Sequence, residues 1–169
     1  MKTRSLLFAI PLALSFFILS CSKESNTSTV RVMMTDAPAD WEEVNIELER
    51  VEIKFAKDTN SWVSLQTNAA IYNLLGLQNG VDTLIAQGTF QSTEVIKEIR
   101  LVLGTDNTIK VDGQVYELTV PSGAESGLKI KVDKDLNADI ETILLDFDAA
   151  LSITTGPQGY ILRPVVRLL

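Results

Sequence analysis

The sequence predicts an all-β fold, a single antiparallel β-sandwich of about eight or nine strands. Three observations lead there. Apolar residues recur with period two along most of the chain from Val30 onward. Turn signals interrupt them at short intervals, and no long amphipathic helix pattern appears.

The elements follow in order. Val30, Val32 and Met34 alternate with Arg31, Met33 and Thr35, the mark of a half-buried strand. Val44, Ile46 and Leu48 do the same. The phase then slips, and Val51, Ile53 and Phe55 take over the apolar face. A slip of one residue reverses every side chain, so a β-bulge is expected near Glu49-Arg50. Asp58-Thr59-Asn60 reads as a turn into a strand over Trp62–Leu65. Ala69–Leu77 is apolar without a clean period and fits strand or a short helix. Asn79-Gly80 is a turn signal, and Gln91–Lys97 has room for one helical turn.

Glu98–Leu103 is the next strand. The clearest hairpin runs from Ile109–Val111 through Asp112-Gly113 into Gln114–Val120, because Asp-Gly supplies the two positive φ angles of a type I′ turn. Strands over Leu128–Val132, Thr142–Ile153 and Tyr160–Leu168 complete the set. Pro164 cannot donate to a ladder, so the last of these is expected at a sheet edge.

The first twenty residues differ from all others. Lys2 and Arg4 precede an apolar run from Leu6 to Leu19. Fourteen helical residues reach only about 21 Å, short of the ~30 Å hydrocarbon core, which favours a signal peptide over a spanning helix. The run ends in Ile18-Leu19-Ser20-Cys21, which resembles the lipobox of bacterial lipoproteins. That resemblance implies cleavage before Cys21 and lipid, including palmitate, on its thiol. Two or three acyl chains at ~0.8 kcal/mol per buried CH₂ would anchor the protein permanently. The expected organisation is a signal peptide over 1–20, a lipidated Cys21 with a polar tether over 21–29, and a β-sandwich domain over 30–169. The expected location is the outer membrane, with the periplasmic and cell-surface sides both open.

Loss of Lys2 and Arg4 takes the formal charge from −7 to −9. So acidic a domain repels phosphate backbones, and nucleic-acid binding is not expected. The chain has no histidine, and its single cysteine is assigned to lipid. Imidazole bases, His- or thiolate-dependent catalysis and zinc thiolate sites are thereby excluded. No phosphate-binding glycine loop is present, so the expectation is a protein that is not an enzyme.

A set of phrases in fixed order carries a wider resemblance. They are Asp36-Ala37-Pro38-Ala39-Asp40, Asn73-Leu74-Leu75, Asn79-Gly80, Gly88-Thr89-Phe90, Ile99-Arg100-Leu101, Pro121-Ser122-Gly123, Ser126–Ile130, Leu145-Asp146-Phe147-Asp148, Gly159-Tyr160 and Arg163-Pro164-Val165. Together they resemble the domain-of-unknown-function family 4382 of Bacteroidetes-type lipoproteins, over roughly residues 29–169. The resemblance implies a transthyretin-like or immunoglobulin-like sandwich and no established activity. Gly88-x-Phe90 also looks like a phrase of prealbumin-like surface modules, with Phe90 in place of a tyrosine.

One constellation carries candidate chemistry. Asp146 and Asp148 lie two apart, about 6.6 Å along a strand, with Leu145 and Phe147 on the other face. As a solvated pair they need cations, for which Arg100, Arg163, Arg167 or a lysine on a neighbouring strand would serve. Joined by Asp36 and Asp40 from a loop at the same end, they would offer Ca²⁺ four hard oxygen donors. Asp36 has a structural reading too, as an Asx-turn before Pro38. Trp41 and Trp62 fit either a sugar-stacking platform or packing at the core's edge. The run of Glu42, Glu43, Glu47, Glu49 and Glu52 reads as a solvated strand face.

The functional expectation is a membrane-anchored envelope lipoprotein whose sandwich binds or builds, with an envelope protein or a glycan as partner. No cofactor is required by that reading. The alternative is a calcium-dependent carbohydrate-binding module built on Asp36, Asp40, Asp146 and Asp148.

Overall fold

The computed structural model describes residues 26–121, 127–157 and 159–169. The expected signal peptide, Cys21 and the first half of the tether lie outside these residues. Within them the chain is all-β, in two mixed sheets that share one core.

The first sheet has five strands. Its centre is β1 (Thr27–Thr35), flanked by β6 (Thr83–Gln91) and β11 (Ile140–Phe147), with β4 (Gln66–Thr67) and β14 (Val166–Leu168) at the edges. Alternation in β1 is as expected: Val30, Val32 and Met34 are fully buried while Arg31 is exposed. The strand begins at Thr27, however, so Thr27–Thr29 pair with β6 instead of belonging to a free tether.

The second sheet has nine strands. β2 (Glu43–Phe55) is its spine. β7 (Val95–Leu103) and β10 (Leu128–Asp135) lie to one side. On the other side come β8 (Thr108–Val111), β9 (Gln114–Thr119), β13 (Gly159–Leu162) and β12 (Ile153–Gly156). β3 (Asp58–Ser64) and β5 (Ala70–Asn73) also pair with β2. The expected bulge is present: the β2–β7 register shifts between Leu48 and Arg50, and Val51, Ile53 and Phe55 face the core beyond it. The hairpin at Asp112-Gly113 forms, with φ of 50° and 76°, and Val111 opposite Gln114. Asn79 and Gly80 also take positive φ.

Several expectations are corrected. The sheets are mixed, since β1 runs parallel to β11 and β9 parallel to β13. The described residues hold fourteen strands in place of eight or nine, because long apolar runs are cut into pieces. Thr142–Ile153 is not one strand. Asp148 caps a single helical turn, α1 (Ala149–Ser152), by accepting a hydrogen bond from the Leu151 amide at 3.0 Å. The chain thereby leaves the first sheet and enters the second as β12.

Tyr160–Leu168 is broken in the same way. Pro164 lies between β13 in the second sheet and β14 in the first, where its missing N–H suits a crossing better than a ladder. The helical turn expected over Gln91–Lys97 is absent there; Ser92-Thr93 is a turn between β6 and β7. The turn before Trp62 is Ala56-Lys57, with Asp58 already paired to Phe55. Ala69–Leu77 divides into β5 and a 3₁₀ turn, Leu74–Leu77, capped by the Asn73 side chain.

Phe90 and Gly88 explain one phrase of the chain physically. The Phe90 ring packs edge-on against Phe55 across the two sheets, with centroids 5.1 Å apart. A Cβ on Gly88 would come within 2.9 Å of both that ring and the Leu65 methyl. Only glycine leaves the ring its place.

Candidate functional site

Two of the chain's crossings between sheets, from β11 to β12 and from β13 to β14, meet at one corner, and the corner holds three of the four candidate carboxylates. β11 brings Asp146 between Thr35 of β1 and Arg167 of β14, its direct partners in register. Asp148 follows at the cap of α1. Asp36 follows β1, so the parallel pairing of β1 with β11 carries both chain ends to the same place. All three are buried: Asp36 and Asp148 are 4% exposed and Asp146 6%.

Each carboxylate is engaged. Asp36 accepts hydrogen bonds from the Ala149 amide at 2.9 Å and from the Gln78 side chain at 3.1 Å. One nitrogen of Arg167 donates to Asp148 at 2.6 Å and to Asp146 at 3.0 Å. The Thr35 hydroxyl is aligned with the carbonyls of Leu77 and Val81, at 2.8 and 2.7 Å, which holds the 3₁₀ turn and Gln78 against the corner. Oδ1 of Asp146 is buried without a hydrogen-bond partner. Burial pushes the Asp36 carboxyl above its ordinary range. The Ala149 and Gln78 hydrogen bonds oppose the shift, and the charges of Asp146 and Asp148 add to it.

The fourth candidate stands apart: Asp40 is exposed, and among the described residues no hydrogen bond joins it to the other three. Among the described residues no group of three or more His, Cys, Asp or Glu is spaced to hold a metal ion. Arg167, one of the cations the sequence offered, sits against both aspartates. Arg100 goes elsewhere, to Glu52, with Nε 2.5 Å from Oε2. The pair is not the solvated face expected, because the corner is closed over it. Gln78 was not foreseen; an amide just before a turn carries no signal in the sequence.

The two tryptophans have separate surroundings. Trp41 packs partly against the core and edge-on to Tyr160, at 6.4 Å between centroids, and Tyr160 in turn lies 5.3 Å from Tyr116. Trp62 lies on the face of the second sheet turned away from the core. There Lys54 Nζ and the Arg100 guanidinium each sit 4.4 Å from its ring centroid. The glutamates of β2 are not uniformly solvated either. Glu52 is 8% exposed under Arg100, and Glu47 accepts a hydrogen bond from the Asp106 amide at 2.9 Å.

Among the described residues no helix is long and apolar enough to cross a membrane. No curated protein and no solved structure matches the chain. A family model does, over residues 27–164, which takes in β1 to β13, the three aspartates of the corner but not Arg167, and Trp62 with its cations. The chain therefore belongs to the family described as a domain of unknown function, DUF4382.

Proposed function

We propose that the protein is a membrane-anchored cell-envelope lipoprotein whose β-sandwich is a non-catalytic binding or structural module, held at the outer membrane by lipid on Cys21. The observation that carries the non-catalytic reading is the state of the buried carboxylates. Asp36 is bonded to a backbone amide and an amide side chain, and Asp146 and Asp148 share Arg167. Groups so engaged tie the ends of β1 and β11 to α1 and β14, a structural task that occupies them. The anchoring rests on Ile18-Leu19-Ser20-Cys21, placed six residues ahead of β1. Growth with labelled palmitate tests it: the wild-type chain is expected to take up label and Cys21→Ser to take up none. Equal labelling of both chains, or of neither, would remove the anchor from the account.

A second reading, a calcium-dependent carbohydrate-binding module, is favoured by one observation. Three of its four proposed ligands, Asp36, Asp146 and Asp148, do converge, and Asp146 has a free buried oxygen. Calcium there would have to displace the guanidinium of Arg167, since two cations do not share one pair of carboxylates without repulsion. Metal dependence of stability separates the two readings.

A further inference from the structure

We infer that the outer face of the second sheet, around Trp62, binds an acidic glycan, with carboxylate-bearing sugars against Lys129 and Lys131 and a sugar ring against the indole. The inference rests on the reading of the domain as a binding module and names its ligand class.

Strand pairing assembles this face from four segments distant in sequence. Glu52 of β2 pairs with Ser64 of β3 and Arg100 of β7, and Arg100 pairs with Lys129 of β10. In the next row, Lys54 pairs with Glu98, and Glu98 with Lys131. Residues two apart on a strand share a face, so both rows point outward. Lys54 and Glu98 are bridged at 2.9 Å, and Arg100 bridges Glu52. Lys129 and Lys131 are exposed and in no ion pair among the described residues. Beside them, Lys54, Thr59, Lys97, Glu98, Lys131 and Asp133 line an open depression of about 470 Å³.

Three features point to a glycan. The protein is strongly acidic, at −7 overall, yet cations outnumber carboxylates in these rows, which marks an anion-binding surface against the field of the whole. The face spans four paired strands with an open depression beside Lys131, suited to a polymer lying across strands more than to a small molecule enclosed by walls. At the end of these rows opposite Lys129 and Lys131 is Trp62, half-buried and held against Lys54 and Arg100, so a ring stacking there does not have to order the indole. The bland reading of Lys129 and Lys131 is protection of an edge, because β10 is the outermost strand of its sheet. That reading gives Trp62 no part.

The test is affinity electrophoresis of the full-length chain in non-ionic detergent, in gels containing polygalacturonate, polyglutamate or dextran. Polygalacturonate is expected to retard the protein, with dextran inert and polyglutamate weaker. Trp62→Ala is expected to weaken the polygalacturonate interaction about tenfold. The exposed pair Lys129→Gln/Lys131→Gln, which sets no like charge opposite Glu98, is expected to abolish it at low salt while leaving a cooperative melting transition. Retardation by polyglutamate equal to that by polygalacturonate would reduce the face to simple charge and overturn the glycan. So would the absence of any retardation, or retardation indifferent to the lysine pair. None of these outcomes depends on lipid at Cys21, so failure of the anchor and failure of this face are distinguishable.

Discussion

Arg167, near the end of the chain, donates one nitrogen to Asp148 at 2.6 Å and to Asp146 at 3.0 Å, so a single exposed cation closes the buried corner where the backbone twice changes sheets. The arrangement follows from strand order. β14 pairs with β11 after Pro164 has ended β13, which sets Arg167 opposite Asp146 in register. Asp146 and Asp148 are buried like charges, and loss of the cation they share would leave both uncompensated.

Asp148 has two roles that substitution separates. Its Oδ1 caps α1 and its Oδ2 meets Arg167. Asp148→Asn keeps a capping oxygen and loses the charge; Asp148→Ala loses both. Urea unfolding is expected to show a loss of roughly 2–3 kcal/mol for Ala and about half that for Asn. Equal losses would mean that the cap contributes nothing.

Asp36 gives stability a pH dependence of known sign. Burial raises its carboxyl above the ordinary value of 3.8, so the folded chain holds that proton more tightly than the unfolded one. Its ionisation therefore costs stability, fully above the raised value, and the cost disappears as pH falls through that value to 3.8. Asp36→Asn keeps an oxygen for the Ala149 amide and carries no charge. The difference in urea midpoint between Asp36→Asn and wild type is expected to favour the variant most at neutral pH and to shrink on acidification. A difference that stays constant with pH would contradict the shift.

Gly88 is required by its neighbours and not by its backbone angle. Gly88→Ala forces a methyl against Phe90 and Leu65, and a loss of about 1–3 kcal/mol is expected for this overpacking. Adding Phe90→Leu, which removes the ring, should recover part of it. No recovery in the double variant would place the strain elsewhere.

Much of the fold was legible wherever a face is either core or solvent. The alternation of Val30, Val32 and Met34, the slip at Glu49-Arg50 and the turn at Asp112-Gly113 each follow from period two and from φ, which are local properties. Strand direction was not legible. β1 beside β11 is a contact over more than a hundred residues, and nothing in either segment says parallel. The breaks at Asp148 and Pro164 were hidden for another reason: the flanking residues stay apolar because the chain moves from one buried sheet to another, so the pattern carries on across the break.

The candidate site was legible in part. Asp36, Asp146 and Asp148, which the sequence groups, meet at the corner, and Arg167 is one of the cations the sequence offers them. Their burial was not visible, since an aspartate reads as solvated until a neighbouring strand closes over it. The face around Trp62 joins residues from four strands, and only the pairing of β10 with β7 sets Lys129 and Lys131 beside Arg100 and Glu98.

Arg167 is the cation of the acidic corner, and the proposed binding through the outer sheet face uses no metal. Thermal unfolding of the full-length chain in millimolar Ca²⁺ and in chelator tests this most directly. The same melting temperature is expected in both. A site filled at a hundred times its dissociation constant would add about 2.7 kcal/mol, several degrees for a domain of this size. A rise of that order, lost in Asp146→Asn, would contradict the account and make the corner a calcium site.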